Sequence, residues 1–331
     1  MSKKKLYLVL DSETASLPFI PLITESAEER KKLAIAKPLV YDIGWTIASR
    51  KEIMEEKQFL IAETFAVPSI FNTAYYAEKR PIYLEKIKKG EITVKPWDEV
   101  MEILVADLKR VDFVCAYNAM FDFKKALPFT ERYIRALYSP EYQLWEQQQK
   151  ESCALMLTEK PKENQNFDSE NFHFRGKKYS MFDIWGMACQ HLINTITYKK
   201  MCLENGMISQ SGEFFKTSAE STYRYLLKQM NFDEAHTALE DAKIESKILQ
   251  RILHDRGAKA GIDFFPFRML GTTVDFISEQ WNKHQIKDEY IQKVIDIMTA
   301  RLPFYEEGNP YRARVEKNIS LLKILLEFNA N

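Results

Sequence analysis

Four carboxylates and one histidine are the residues of this chain best placed to do chemistry. Asp11 and Glu13 follow the apolar run Leu6-Tyr7-Leu8-Val9-Leu10, Asp122 closes Asn118-Ala119-Met120-Phe121-Asp122, and His236 and Asp241 flank Thr237-Ala238-Leu239-Glu240. Side chains alternate across a strand, so acids at 11 and 13 point to one face. Neighbouring carboxylates repel one another unless a cation joins them, and hard oxygen ligands suit Mg²⁺ or Mn²⁺. A histidine on a loop beside them, titrating near neutrality, is suited to take a proton from water. Acids that hold two divalent cations next to such a base are equipped to hydrolyse phosphodiesters. Taken singly, each residue has a plainer reading. Asp-x-Glu often marks a solvated strand end, Asn118 suits a helix cap, and Asp241 sits favourably near a helix N-terminus. The combination carries the argument.

The elements that must position these residues are legible in the pattern. Leu6–Leu10 is an unbroken apolar run, as in a central strand buried on both faces. Val40–Ser49 and Glu56–Phe65 read as the next strands, and Phe113–Tyr117 as another short buried one. Ser26–Ala36, Pro81–Lys89 and Trp97–Val111 read as helices, the last with Val100, Ile103, Leu104 and Leu108 at helical spacing. Asn118 opens a helix through Asp122 to about Leu127, where Pro128 predicts a break. One helical turn separates Asn118 from Asp122, which predicts a shared face. Glu131–Lys160 reads as a polar helix, Pro161–Glu170 as a loop, His173–Tyr179 as a hairpin tip and Met181–Leu192 as helical from Asp183. Thr217-x-x-Glu220 and Thr237-x-x-Glu240 have the form of capping boxes, ahead of helices over Ser221–Met230 and Ala238–Leu253. After Asp255 only helices follow, over Thr273–Lys283, Asp288–Ala300 and Ala313–Glu327. A boundary is therefore expected near Gly257 and Gly261.

The chain of 331 residues is long enough for a sizeable core, and its composition predicts an α/β or α+β sheet domain with helices beyond. Net charge is zero, from 47 basic and 47 acidic residues, so global charge does not announce a polyanionic partner. Attraction to nucleic acid would have to be local or supplied by cations, with Lys86–Lys89, Phe172–Lys178 and Lys199–Lys200 as candidate tracks along a backbone. The cysteines at 115, 153, 189 and 202 have neither Cys-x-x-Cys nor zinc spacing and read as reduced thiols of a cytoplasmic protein. The apolar run behind the basic start is shorter than a signal peptide needs, and no stretch approaches the roughly 20 apolar residues of a membrane span.

The set resembles the DEDDh branch of 3′-5′ exonucleases, the DnaQ-like superfamily of the proofreading subunit of bacterial replicative polymerase and of ribonuclease T. Asp11-Ser12-Glu13-Thr14 matches the family's first motif, Asn118 to Asp122 its second, and His236 to Asp241 its third. Met181-Phe182-Asp183-Ile184 resembles the strand-to-helix Asp between the second and third. The resemblance covers about residues 5–253, with longer segments between Leu17 and Val40 and between Phe129 and Tyr179. It implies a ribonuclease H-like mixed sheet flanked by helices over 1–254, with a helical extension over 255–331. It implies two cations, Mg²⁺ or Mn²⁺, on Asp11, Glu13, Asp122 and Asp241, and His236 as general base. Thr14, Ala15, Leu17 and Asn118 would meet the terminal nucleotide. The expected partner is single-stranded or 3′-ended DNA or RNA, with a polymerase or a replication or repair protein as a further one. A catalytically silent nucleic-acid-binding or polymerase-accessory protein on the same fold is the alternative.

Overall fold

Leu8, Val9 and Leu10 are fully buried, and the strand they belong to organises the sheet. In the computed structural model, which describes residues 4–16, 37–138, 170–256, 265–281, 283 and 285–329, this strand β1 runs Leu6–Ala15. It extends past the apolar run, so both acids at 11 and 13 lie within it rather than beyond its end. The other strands are β2 (Leu39–Ser49), β3 (Ile53–Ile61), β4 (Thr93–Lys95), β5 (Phe113–Ala116), β6 (Asn171–Phe174) and β7 (Lys177–Asp183).

The seven strands form one mixed sheet in the order β4-β3-β2-β1-β5-β7-β6. β1, β2 and β3 pair antiparallel as a meander, whereas β5 joins β1 and β7 joins β5 in parallel. Parallel neighbours require crossovers, supplied here by helices such as Trp97–Leu108 before β5. This is the α/β arrangement of a mixed sheet flanked by helices, followed by C-terminal helices, that the sequence pattern predicts. The turn between β6 and β7 is Arg175-Gly176, both with left-handed backbone (φ 42 and 77), as a tight hairpin requires.

Two local expectations are corrected. Pro128 does not end a helix: Ala119–Phe121 passes through a π-helical turn, Asp122–Ala126, into the helix Leu127–Leu137. The proline sits in the first turn after the wider π segment, where the loss of one N–H donor is tolerated. The segment Glu56–Phe65 is not one strand, because Ile53–Ile61 is strand and Ala62–Phe65 turns helical. The helix expected over 26–36, most of the polar helix expected over 131–160 and the loop expected from 161 to 169 lie outside the described residues, as do Cys153, Gly257 and Gly261.

The described chain divides into two compact units, Met1–Ile184 with Glu234–His254, and Trp185–Asp233 with Asp255–Asn331. A division at 254/255 alone would leave 185–233 with the first unit. The structure groups that segment with the C-terminal helices because they share a core. Tyr198, Cys202, Leu203 and Phe215 are buried together with Val274, Ile277, Ile291, Met298, Val315 and Leu322. The helix Ala219–Leu227 in this segment is capped by Ser218, whose hydroxyl accepts from the Ser221 N–H, one residue later than the capping box predicts. Thr217 instead accepts a hydrogen bond from the Trp185 indole (2.9 Å). Among the described residues no helix is long and apolar enough to cross a membrane.

Candidate metal centre

The first unit contains all the described residues of the motifs. β2 stands beside β1 with Gly44 opposite Asp11 and Asp42 opposite Glu13, so these four share the face on which the acids project. Gly44 leaves that face bare. A Cβ there would lie 2.3 Å from the backbone nitrogen and 2.5 Å from the Cα of Leu239. The missing side chain lets the start of the helix Ala238–Arg256 settle directly on the sheet, which brings Asp241 to the strand acids.

Asp42 fixes that helix end. Its carboxylate accepts from the Ala238 N–H (3.0 Å), the Tyr83 hydroxyl (2.9 Å) and the Gln58 amide (2.9 Å). The expected Thr237 capping box is therefore not what starts the helix. Thr237 Oγ1 is buried without a hydrogen-bond partner, and Glu240 pairs with Lys243. A carboxylate from the neighbouring strand takes the capping role because the helix packs on that strand.

Glu13, His236 and Asp241 converge, with one ligand atom of each lying within 4.8 Å of the others. Asp11 belongs to the same electrostatic cluster. Burial first, then the charges of Glu245, Asp122, Asp241 and Glu13, holds its carboxyl well above the ordinary carboxylate range. Burial, then Asp241 and Asp42, does the same to Glu13. Asp122 is buried and held by the Ser12 hydroxyl, which donates to Oδ1 at 2.5 Å. Burial dominates its pKa, raised to about 7, with Asp183 adding repulsion. Asp241 is raised to about 8 by burial and by Glu234 and Asp42.

The left-handed turn at Asn118 (φ 74) delivers Asp122. Asn118 makes no side-chain cap bond and stands exposed outside the helix, so it does not share a helical face with Asp122. Its backbone N–H and that of Ala119 both donate to Asp183 (3.0 and 3.1 Å), so Asp183 secures the turn from the end of β7. Thr14 is half-buried and Ala15 fully buried, just beyond a register shift between Glu13 and Thr14; Leu17 lies outside the described residues.

His236 lies on a loop, as expected, but the loop is braced. Its imidazole stacks on Tyr76 at 4.4 Å between centroids and 16° between planes. Lys79 donates to the Ala235 carbonyl (2.5 Å) and lies 4.7 Å over the Tyr76 ring. Tyr76, Lys79, Asp42 and Glu245 carry no motif that would single them out along the chain. Glu245 alone has a local signal, falling four residues after Asp241 on one helix face. It is buried, accepts from the Tyr117 N–H (3.1 Å), and is raised well above the ordinary range by burial and Asp122. Of the candidate basic tracks, Arg175 is committed to Asp98 at 2.5 Å and to Glu131 at 3.2 Å.

This donor set fits divalent cations. Asp241 Oδ1 is buried without a hydrogen-bond partner, and the carboxylates of Glu13 and Asp241 stay raised even with the charge of Lys79 acting to lower them. A pH dependence follows. Asp122 and Asp241 bind their protons more tightly folded than unfolded, where Asp titrates near 3.8. The stability they contribute is fully present below about pH 4 and is lost as pH rises through about 7 and 8. In EDTA, this contribution should lower the melting temperature as pH rises from 5 to about 9, and Mg²⁺ should restore most at the alkaline end. A thermal scan in which Mg²⁺ protects equally at all pH values would contradict this.

No family model, curated protein or solved structure matches this chain in comparisons with known proteins. The functional reading therefore rests on the residues themselves.

Proposed function

We propose that this protein is a metal-dependent 3′-5′ exonuclease of the DEDDh kind, acting on DNA or RNA in the cytoplasm. The observation that carries the reading is the convergence of Glu13, His236 and Asp241, with Asp11 and Asp122 electrostatically tied to them. Asp11, Glu13, Asp122 and Asp241 would hold two divalent cations, Mg²⁺ or Mn²⁺, which supply charge neutralisation to the attacking and leaving oxygens of an in-line displacement. His236 accepts the proton of the attacking water, and Tyr76 keeps the imidazole oriented while it does so. Ser12 holds Asp122, and Asp42 holds the helix that presents Asp241. The product is a nucleoside 5′-monophosphate released from the 3′ end. Thr14, Ala15 and Asn118 border the acids at the end of β1 and at the turn after β5, where the terminal nucleotide would lie, and a polymerase or repair protein is the further partner this activity suits.

Oligonucleotides of DNA and RNA labelled at the 5′ end test the reading. With Mg²⁺ or Mn²⁺, a ladder shortening from the 3′ end is expected, absent in EDTA. His236→Ala should slow it about 10²–10⁴-fold, the usual contribution of a general base. Tight binding of oligonucleotide with no turnover in either metal would instead establish a silent binding protein.

A further inference from the structure

We propose that Glu13, His236 and Asp241 form a site for Zn²⁺, with His236 as a direct ligand, and that filling it switches the protein off by occupying the base. The binding stands on geometry alone, whereas the switching consequence rests on the exonuclease reading.

Three observations carry it. The trio offers one nitrogen-bearing and two oxygen-bearing side chains whose ligand atoms lie within 4.8 Å of one another. Zn²⁺ draws imidazole nitrogen and carboxylate oxygen to about 2.0–2.2 Å, and three protein ligands with one open position are an ordinary set for it. Second, Asp241, a member of the trio, is only 6 % exposed and its Oδ1 has no hydrogen-bond partner, so a buried carboxylate oxygen is left for a ligand. Third, His236 is held by its left-handed backbone (φ 51) and the Tyr76 stack. A Glu234 carboxylate oxygen stands 3.7 Å from its Nδ1.

The neighbouring groups set the selectivity. Mg²⁺ prefers oxygen and retains water, so it has no use for the imidazole. Zn²⁺ binds nitrogen and oxygen ligands more tightly than Mg²⁺ and accepts imidazole readily. The same two carboxylates therefore serve both ions, and whether the histidine joins decides which one is bound. An imidazole lone pair given to Zn²⁺ is no longer open to a proton from water. Lys79, which contacts the Ala235 carbonyl and the Tyr76 ring, is a cation close enough to act on Glu13 and Asp241.

The test titrates the metal-free full-length protein with Zn²⁺ and, separately, Mg²⁺ by calorimetry, for wild type and His236→Gln. Histidine-labelled wild type is followed by ¹⁵N NMR in parallel. The expected result is one Zn²⁺ per chain, weakened about 10–100-fold or more by His236→Gln, the scale typical of lost metal-site support. Mg²⁺ affinity should stay within about twofold, and the His236 ring nitrogen should shift on Zn²⁺ addition. An unshifted ring, or Zn²⁺ affinity indifferent to His236→Gln, overturns the site. The NMR arm needs no variant, so misfolding of His236→Gln would not leave the question open. An activity arm adds Zn²⁺ to the Mg²⁺ reaction, and inhibition near one equivalent is expected. Full activity with Zn²⁺ bound overturns the switch. No hydrolysis even without Zn²⁺ counts against the exonuclease reading, while the calorimetric and NMR results still decide the site.

Discussion

Asp11→Asn or Asp241→Asn should reduce hydrolysis by about 10³-fold or more while raising the melting temperature of the metal-free protein at pH 8. The two effects have one cause. Both acids lie among like charges: Asp11 faces Glu245, Asp122, Asp241 and Glu13, and Asp241 faces Glu234 and Asp42. Without cations this arrangement costs folding energy, and removing one charge relieves it. With cations the same charges would hold the proposed ions, so removing one would weaken the transition-state stabilisation that such metals provide. Each kcal/mol of relieved repulsion shifts melting by about 2–4 °C in a domain of 150–250 residues. Activity is measured on 3′-ended oligonucleotides in Mg²⁺, and melting in EDTA. If the asparagine variants melt lower than wild type in EDTA, the acids are structural partners rather than an unneutralised cluster.

A second large effect is expected at a residue that has no side chain at all. Gly44→Ala places a methyl 2.3 Å from the backbone nitrogen of Leu239 and 2.6 Å from the carbonyl carbon of Ala238. These are backbone atoms at the start of a helix, so no side chain can swing aside. Either the helix rises off the sheet or β2 bends. Overpacking of this kind costs about 1–3 kcal/mol and can cost more. Asp241 and His236 move with the helix start, and a displacement of about 1 Å can cost around 10²-fold in rate. Urea unfolding and the hydrolysis assay, run together, check it. A variant as stable and active as wild type would show that the close approach between β2 and Leu239 is not required.

The candidate site residues were legible because each motif is local. A strand carries Asp11 and Glu13, a tight turn carries Asp122, and a loop leading into a helix carries His236 and Asp241, so spacing of two to five residues identifies them. The alternation of strands and helices was legible for the same reason. What positions the site was not. Asp42 caps a helix 196 residues later, and Tyr76 stacks on a histidine 160 positions away; no window along the chain contains both partners. Thr237 and Glu240 had the right local signature for a cap, and the neighbouring strand supplied a better acceptor. Pro128 looked like a helix end because the π-helical turn that accommodates it has no sequence signature. The grouping of 185–233 with the C-terminal helices is likewise a property of the shared core, invisible to a search for breaks in composition.

The divided second unit bears on how this gene can change. A terminal appendage can be lost through a premature stop codon while the rest of the protein persists. Here a stop after codon 254 would remove Val274, Ile277, Ile291, Met298, Val315 and Leu322, and leave Tyr198, Cys202, Leu203 and Phe215 facing water. The translated remnant would carry every catalytic-type residue together with an exposed apolar half-core, the kind of surface that drives aggregation and proteolysis. Frameshift and nonsense alleles that remove residues 255–331 should therefore behave as nulls, although they spare every residue of the proposed site.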